Sequence, residues 1–385
     1  MTPITSNAEL ESFCDRLKDA PFIAVDTEFM RETTYWPKVC LIQVASDTDA
    51  ANIDPLAEGL DLVPLLALMA DEKIVKVFHA AKQDIEIFNM MGTIPRPLFD
   101  TQIAAMAAGY GEQIAYDALV RQMLRVDIDK SSRFTDWARR PLSDAQLKYA
   151  LADVTHLAKI YPKLCDRLAK AGRLGWVSEE MAALGDPAAY NADPENAWRR
   201  LKPRKFNPRY LAAFKATAAW RERAAQTRDQ PRGRILKDDA IDEVATQVPL
   251  DAEALNRLRS VPKGFSGSRF GPELVAALKE AMRDPEAYAP VVERAPPPPQ
   301  NAGAVVELLK VLLKARAEDA GVASKLIATV SDLEKIAAND QAQVGALHGW
   351  RRELFGADAL RLKRGELALV LDGARVKVVD LSAAA

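Results

Sequence analysis

The chain has 385 residues, too many for one ordinary hydrophobic core, so its length predicts two or three domains. Hydrophobic residues make up 49%, charged residues make up 28% and the net charge is −2, a balance that excludes a disordered chain. No apolar run approaches the roughly 20 residues needed to cross a bilayer, which excludes a membrane-spanning protein.

The cysteines and the N-terminal residues indicate the compartment. Cys14, Cys40 and Cys165 lie far apart and lack CxxC spacing, which argues against a structural zinc site and for a reducing environment. The opening MTPITSNAELESF has neither the basic start nor the apolar core of a signal peptide. We therefore expect a cytoplasmic location.

The first half of the chain predicts an α/β fold. Four segments rich in apolar and β-branched residues predict strands. They are 22–30 (FIAVDTEFM), 39–46 (VCLIQVAS), 51–54 (ANID) and 73–79 (KIVKVFH). Helical patterns follow at 81–91, 101–109, 115–124 and from Ser143 towards Gly172. Three successive strands, and then helices alternating with a strand, predict a mixed β-sheet.

The rest of the chain predicts two all-α modules of similar size. Turn-forming residues precede the first module, and a proline run, which cannot form a helix, separates it from the second. Apolar alternation about Asp372 and Gly373 predicts a C-terminal β-hairpin. The predicted bounds are 1–172 for the α/β domain, 173–206 for a linker, 207–286 for the first module, 287–301 for a proline-rich linker and 302–385 for the second module with its hairpin.

Two carboxylates interrupt the first predicted strand. Asp-x-Glu occurs six times in the chain, but only Asp26 and Glu28 lie inside an apolar strand. Side chains at i and i+2 of a strand point to the same face, so both carboxylates are directed at one point. Buried like charges are costly unless something neutralises them. The pair alone therefore leaves two alternatives, a neutralised buried site or an exposed, solvated strand end.

Three further residues form an ordered set with this pair. Asp84 lies on the first turn of the helix after the fourth strand, and Tyr149 and Asp153 share one face of the long helix. Taken singly, an exposed acid and a half-buried tyrosine would explain them. Together, the order Asp-x-Glu, Asp, Tyr-x-x-x-Asp resembles the DEDD family of 3′–5′ exonucleases, in its tyrosine-bearing subclass. Lys148 stands where the histidine-bearing subclass has histidine.

Longer segments resemble the ribonuclease D branch of that family. They are VDTEFMRETTYWPKVCLIQVA, KSSRFTDWARRPLSDAQLKYALADV and WRERAAQTRDQPRGRILKDDAI. The last segment is similar to the helicase-and-RNase-D C-terminal (HRDC) module. The resemblance implies an RNase H-like exonuclease domain, an HRDC module at 207–286 and an HRDC-like module after it.

The same resemblance implies phosphodiester hydrolysis with two divalent metal ions, Mg²⁺ or Mn²⁺. The implied ligands are Asp26, Glu28, Asp84 and Asp153. Tyr149 would orient the attacking water, and its reference pKa of about 10 keeps it protonated. Hard cations prefer carboxylate oxygens, and two of them can neutralise a phosphate and stabilise the leaving oxygen. Such ions are the neutralising partners that a buried acidic pair requires.

Contacts to the RNA 3′ end are expected near the acids. Met30 and Tyr35 are candidates for stacking on terminal bases, because every base offers a π-face. His79 ends the fourth predicted strand and could contact the substrate. A structural hydrogen-bonding role is favoured for His79.

A basic stretch predicts a second RNA contact. Residues 199–237 contain thirteen Lys or Arg and two acidic residues, a net charge near +11. Such a stretch can bind the phosphate backbone of a folded RNA. Arg221 and Arg223 are the candidate contacts.

Three functions follow from these patterns. The leading one is a monomeric 3′–5′ exoribonuclease that trims tRNA precursors with 3′ trailers and releases nucleoside 5′-monophosphates. A DNA exonuclease of the same subclass would have the same site and would differ in its dependence on the 2′-OH. A non-catalytic RNA-binding adaptor is expected to have lost one of the five site residues, and all five are present.

Overall fold

A five-stranded sheet organises the first of two units in the computed structural model, which describes residues 2–292 and 302–381. The strands are β1 (Phe22–Met30), β2 (Lys38–Ala45), β3 (Ala50–Ile53), β4 (Val75–Phe78) and β5 (Leu98–Asp100). Their order is β3-β2-β1-β4-β5. β4 runs parallel to both β1 and β5, whereas β2 and β3 are antiparallel. The predicted mixed sheet is therefore confirmed, although β5 was not predicted.

Helices surround this sheet. They are α1 (Asn7–Leu17), α2 (Val63–Ala70), α3 (Lys82–Met90), α4 (Thr101–Ala107), α5 (Tyr116–Leu124), α6 (Asp144–Lys170) and α7 (Leu174–Leu184). The Ser143 hydroxyl accepts from the backbone N–H of Gln146, and the Gln146 side chain bonds back, which fixes the start of α6. One face of α6, including Leu147 and Val154, is buried. α6 therefore has a fixed orientation in the first unit.

Helix α7 corrects the predicted first linker. Residues 173–206 were expected to connect domains, but Val177 and Met181 of α7 are buried in the same core as α4 and α6. The turn at Gly172 ends α6 without ending the domain. The first unit contains residues 41–189 without a break.

The second predicted module lies in the first unit. It comprises α14 (Ala302–Ala320), α15 (Ser324–Ile327), α16 (Val330–Ala338), α17 (Gly349–Arg351), a π-helical turn (Arg352–Gly356), α18 (Ala357–Lys363) and the antiparallel strands β6 (Leu367–Asp372) and β7 (Arg375–Asp380). Trp350 stacks on Trp176 of α7, with ring centroids 4.2 Å apart. Arg351 Nη1 forms an ion pair with Glu179 of α7 at 2.7 Å. The module therefore packs on the sheet domain, and its terminal strands confirm the predicted hairpin.

The second unit contains the first helical module. Its helices are α8 (Pro208–Thr227), α9 (Arg232–Ile235), α10 (Asp238–Gln247), α11 (Ala252–Asn256), α12 (Phe270–Ala281) and α13 (Pro285–Tyr288). The Asn207 side chain accepts from Tyr210 N and caps α8, as the predicted start at 207 requires. Residues 29–40 also belong to this unit, which the sequence did not predict. Most of the predicted proline-rich linker lies outside the described residues.

No helix in the described parts of the chain combines the length and the apolarity needed to cross a bilayer. The longest one, α6, has 27 residues and carries charged side chains along its length.

Candidate active site

Three of the predicted acids meet at one point. Asp26, Glu28 and Asp153 each place a carboxylate oxygen so that the three atoms lie within 4.8 Å of one another. Asp26 and Glu28 share one face of β1, as i and i+2 residues of a strand do. Asp153 comes from the buried face of α6 and is 8% exposed. The strand and the helix therefore build the predicted acidic cluster.

Burial and mutual repulsion perturb these carboxyl groups. Burial, and next the charge of Asp153, raises the pKa of Asp26 well above its ordinary value. Burial and the charges of its acidic neighbours raise the pKa of Glu28 to about 9. Burial raises the pKa of Asp153 to about 7, against the lowering effects of Tyr149 and Arg133. Such a cluster requires protons or cations to remain in place.

Asp84 lies beside this cluster without joining the group of three. It is buried on the first turn of α3, and its Oδ1 accepts a hydrogen bond from Thr27 Oγ1 at 2.6 Å. Burial, followed by the charge of Asp26, raises its pKa. Thr27, between the two acids of β1, thus ties Asp84 to the strand. The sequence offered no signal for this bond, because it joins residues 57 positions apart.

Tyr149 is adjacent to Asp153, as their spacing on α6 predicts. Its ring contacts that of Trp137, with centroids 6.2 Å apart, and Trp137 is buried. Burial, and then the charges of Asp153 and Glu28, raises the pKa of Tyr149. The hydroxyl therefore stays protonated and can donate a hydrogen bond throughout the working pH range.

A cavity of about 310 Å³ opens beside these residues. Asp26, Tyr149 and Asp153 line it. Its other walls include Tyr116, Lys130 and Arg133, which the sequence had not singled out. Tyr116 donates its hydroxyl hydrogen bond to the backbone oxygen of Asp153 and so helps to fix α6.

The predicted substrate contacts near the acids, His79 and Met30, have different outcomes. His79 lines the cavity, but its ring nitrogens are already engaged by Thr101 Oγ1 at 2.9 Å and the Ile114 carbonyl oxygen at 3.1 Å. Its hydrogen bonds thus match the favoured structural role. Met30 is half-buried at the end of β1, and its predicted base contact stays a prediction.

Tyr35 cannot stack on a base, so that prediction is wrong. Its side chain is 3% exposed, and its hydroxyl donates to Glu222. The guanidinium of Arg232 lies over its ring, 4.5 Å from the centroid. The ring is thus a core residue of the second unit. The position of Tyr35 shortly after Asp26 and Glu28 in the sequence does not reveal that its hydroxyl binds Glu222, 187 positions away.

Arg221 is also unable to contact the phosphate backbone of RNA. It is 4% exposed, and its Nη1 donates to the Leu236 carbonyl oxygen at 3.0 Å and pairs with Asp238. Arg223 is half-exposed, but its Nη1 pairs with Glu195 at 2.7 Å. The net charge of residues 199–237 leaves out Asp238 and Glu195, because both acids lie outside that range. The positive charge of the stretch is therefore partly neutralised within the fold.

The donor set fits a divalent metal ion. It consists of carboxylate oxygens, which hard cations such as Mg²⁺ and Mn²⁺ prefer. Within the described residues, no Lys or Arg forms an ion pair with Asp26, Glu28 or Asp153. A bound cation would offset the burial and the mutual repulsion that raise the pKa values of Asp26 and Glu28.

Metal-free protein is expected to lose thermal stability as pH rises from about 5 to 9. The folded pKa values of Asp153 and Glu28, about 7 and about 9, exceed their ordinary values, so folding favours the protonated forms. That stability is complete below the ordinary pKa and is lost as pH rises through the folded pKa. Melting curves in EDTA at pH 5, 7 and 9 measure the effect.

Glu28→Gln is the matched variant for this measurement, because it removes a carboxyl group whose pKa is raised to about 9. Its melting temperature is expected to depend less on pH between 7 and 9 than that of the unmodified protein. Added Mg²⁺ is expected to raise the melting temperature most at pH 9. A metal-free melting temperature that stays constant from pH 5 to 9 would contradict the repulsive cluster.

Known proteins share this architecture. The 3′–5′ exonuclease family profile matches residues 1–169, and the HRDC domain profile matches residues 211–278. The chain is 53% identical to ribonuclease D of Nitrobacter hamburgensis, covering 99% of this chain and 100% of that protein. It is 50% identical to ribonuclease D of Granulibacter bethesdensis, covering 98% and 96%. The crystal structure of Escherichia coli RNase D superposes with a TM-score of 0.80 at 30% identity, covering 95% of this chain and 99% of the other.

Proposed function

The chain belongs to the ribonuclease D family and is a 3′–5′ exoribonuclease, and we propose that it hydrolyses RNA at the acidic cluster described above. The observation that carries the proposal is the convergence of Asp26, Glu28 and Asp153 beside a cavity. An exonuclease of this family uses divalent metal ions, and no other group of three metal-binding side chains occurs in the described residues.

The four acids would hold two ions, Mg²⁺ or Mn²⁺. Asp26 would contribute to both ion positions, since its carboxylate neighbours that of Asp153 and its charge also raises the pKa of Asp84. When bound, such ions offset the charge of the phosphodiester, lower the pKa of a water and stabilise the leaving 3′ oxygen. The chain contributes the fixed carboxylates and a cavity that receives the RNA end.

Tyr149 would orient the water that attacks the phosphorus. Its hydroxyl is protonated, adjacent to Asp153 and exposed to the cavity. The contact with buried Trp137 restricts the ring on one side. A neutral donor in a fixed position can align a water without taking its proton, and the proton released on attack would pass to solvent water. The products would be nucleoside 5′-monophosphates.

The substrates would be structured RNAs, among them tRNA precursors with 3′ trailers. The E. coli relative is described as an exoribonuclease involved in structured RNA processing. In the second unit, exposed Lys202, Lys205 and Arg209 have no carboxylate partner within the described chain, and these side chains would bind the RNA backbone. We propose that the protein acts as a monomer in the cytoplasm, where such precursors are made.

The decisive experiment compares matched RNA and DNA hairpins that carry the same 3′ tail. With Mg²⁺ or Mn²⁺, the RNA tail is expected to shorten stepwise from its 3′ end and to release monophosphates. Excess EDTA is expected to abolish this activity, and restored Mg²⁺ to recover it. Full activity in EDTA would refute the metal site, and faster hydrolysis of DNA would favour the alternative of a DNA exonuclease.

A further inference from the structure

The loop between α5 and α6 approaches the catalytic cavity with a fixed base and an exposed tip. At the base, Arg140 binds Asp54 through Nε at 2.6 Å and Nη2 at 2.7 Å. Trp137 is buried, and Thr135 Oγ1 accepts from Gln146 Nε2 at 3.0 Å. The loop is therefore anchored to the sheet side and to α6. Its tip is formed by Arg133 and Phe134.

Arg133 is a cation of the cavity without a carboxylate partner. Lys130, the other basic residue of the lining, pairs with Asp117 at 2.7 Å. Within the described chain, no carboxylate forms an ion pair with Arg133. The Arg133 charge nevertheless reaches the acids, because it lowers the pKa values of Glu28 and Asp153. Arg133 thus lines the same cavity as Asp26 and Asp153 without an ion pair to either.

That cavity suits a phosphodiester group, because carboxylates that can hold cations and an arginine without an ion-pair partner line it together. A phosphate has two non-bridging oxygens, so one of them would be available to Arg133. A guanidinium offers a planar pair of N–H donors that matches phosphate oxygens. An arginine held back from the acids is available for this contact, whereas one already paired with them would have to be released first.

Phe134 adds a second chemical feature at the same tip. Phe134 is 90% exposed, although an aromatic ring is usually buried. The Arg133 guanidinium lies 5.2 Å from its ring centroid, so the exposed ring adjoins the rim of the cavity. An aromatic face beside a cation binds single-stranded nucleic acid through base stacking together with a phosphate contact.

We propose that Arg133 and Phe134 form a clamp for the RNA 3′ end, in which Arg133 binds a phosphate next to the acidic cluster and Phe134 stacks on a neighbouring base. The clamp positions the substrate and does not hold the metal ions. This inference rests on the proposed position of the active site. It assigns specificity for a single-stranded 3′ end to a loop outside the acidic set.

Steady-state hydrolysis of a 3′-tailed RNA at several salt concentrations tests the Arg133 contact. Arg133→Ala is expected to raise KM about 10-fold or more, with a smaller change in kcat and an unchanged Mg²⁺ requirement. Loss of one phosphate contact is expected to reduce the slope of log(kcat/KM) against log[salt] by about 0.7. Arg133→Lys should recover part of the slope. Lys163→Ala, an exposed change of equal charge on α6, is the control and should match the unmodified protein.

Phe134 is tested by three substitutions that separate stacking from apolar contact. Phe134→Ala and Phe134→Leu are expected to raise KM about 5-fold or more, because leucine has no aromatic face. Phe134→Trp should keep the KM of the unmodified protein. Equal KM values for the Leu and Trp variants would overturn the stacking contact.

The Arg133 contact is overturned by an unchanged KM and salt slope in Arg133→Ala. It is also overturned if that variant changes mainly the Mg²⁺ concentration needed for half-maximal rate, which would assign the charge to the acids. Failure of the proposed active site gives a different result, since Asp26→Asn would then remain active whatever Arg133 does.

Discussion

Asp26→Asn is expected to reduce RNA hydrolysis by roughly 10⁴-fold while the protein keeps its fold. Asp26 contributes an oxygen to the group of three carboxylates and also perturbs Asp84, so its loss affects both proposed ion positions. Metal ions supply several kcal/mol of transition-state stabilisation, and each 1.4 kcal/mol corresponds to a tenfold rate change. Single-turnover assays at saturating Mg²⁺ measure the loss.

Stability distinguishes this loss from a folding defect. Asparagine has nearly the shape of aspartate and lacks its charge, so the change relieves repulsion among the buried acids. The melting temperature in EDTA is therefore expected to equal or exceed that of the unmodified protein. Added Mg²⁺ should raise the melting temperature less in the variant. Asp166→Asn, an exposed change on the same helix as Asp153, is the control and should retain full activity.

The proposed catalytic set could be predicted from the sequence because its spacing is local. Asp26 and Glu28 are two residues apart on a strand, and Tyr149 and Asp153 are four apart on a helix, so each pair has a shared face whatever the tertiary fold. Bringing the two pairs together required the family resemblance. Asp84 shows the limit, because its bond to Thr27 depends on how α3 packs beside β1.

Residues with distant partners were the ones misjudged. Arg221 and Tyr35 looked like RNA contacts because a charge and an aromatic ring stand in suggestive sequence surroundings. Arg221 is instead satisfied by residues 15 and 17 positions away, and the Tyr35 hydroxyl by Glu222, 187 positions away. A buried polar side chain needs such a partner, but sequence spacing does not reveal where it lies.

Elements that depend on tertiary packing were missed for a related reason. β5 has only three residues and gains its hydrogen bonds from β4, so its composition alone carries little strand signal. α7 follows a glycine turn that resembles a domain end, yet Val177 and Met181 complete a core made by other elements. Long segments with strong apolar patterns, such as β1 and α6, were predicted correctly because local pattern and tertiary packing agree there.

Tyr149→Phe is expected to lower kcat about 100-fold and to leave the Mg²⁺ requirement unchanged. The substitution removes only the hydroxyl, so the ring contact with Trp137 remains. Without the hydroxyl, the attacking water loses a hydrogen bond that positions it in the transition state. Removing one such positioned donor lowers kcat by about 10²–10³-fold in enzymes that stabilise a transition state with fixed donors. Pre-steady-state rates measured across a Mg²⁺ titration separate the lost rate from any lost metal affinity.

The pH–rate profile decides what the hydroxyl does. Because burial and the neighbouring acids raise the pKa of Tyr149, its ionisation cannot supply a base at neutral pH. The variant should therefore have a lower rate at every pH without a shift in the midpoint of the profile. A lost or displaced alkaline limb would instead make Tyr149 the proton acceptor. Tyr161→Phe removes a hydroxyl from the same helix outside the proposed catalytic cavity. An equal loss of rate in that variant would show that the Tyr149 hydroxyl acts through the fold of α6 and not through water.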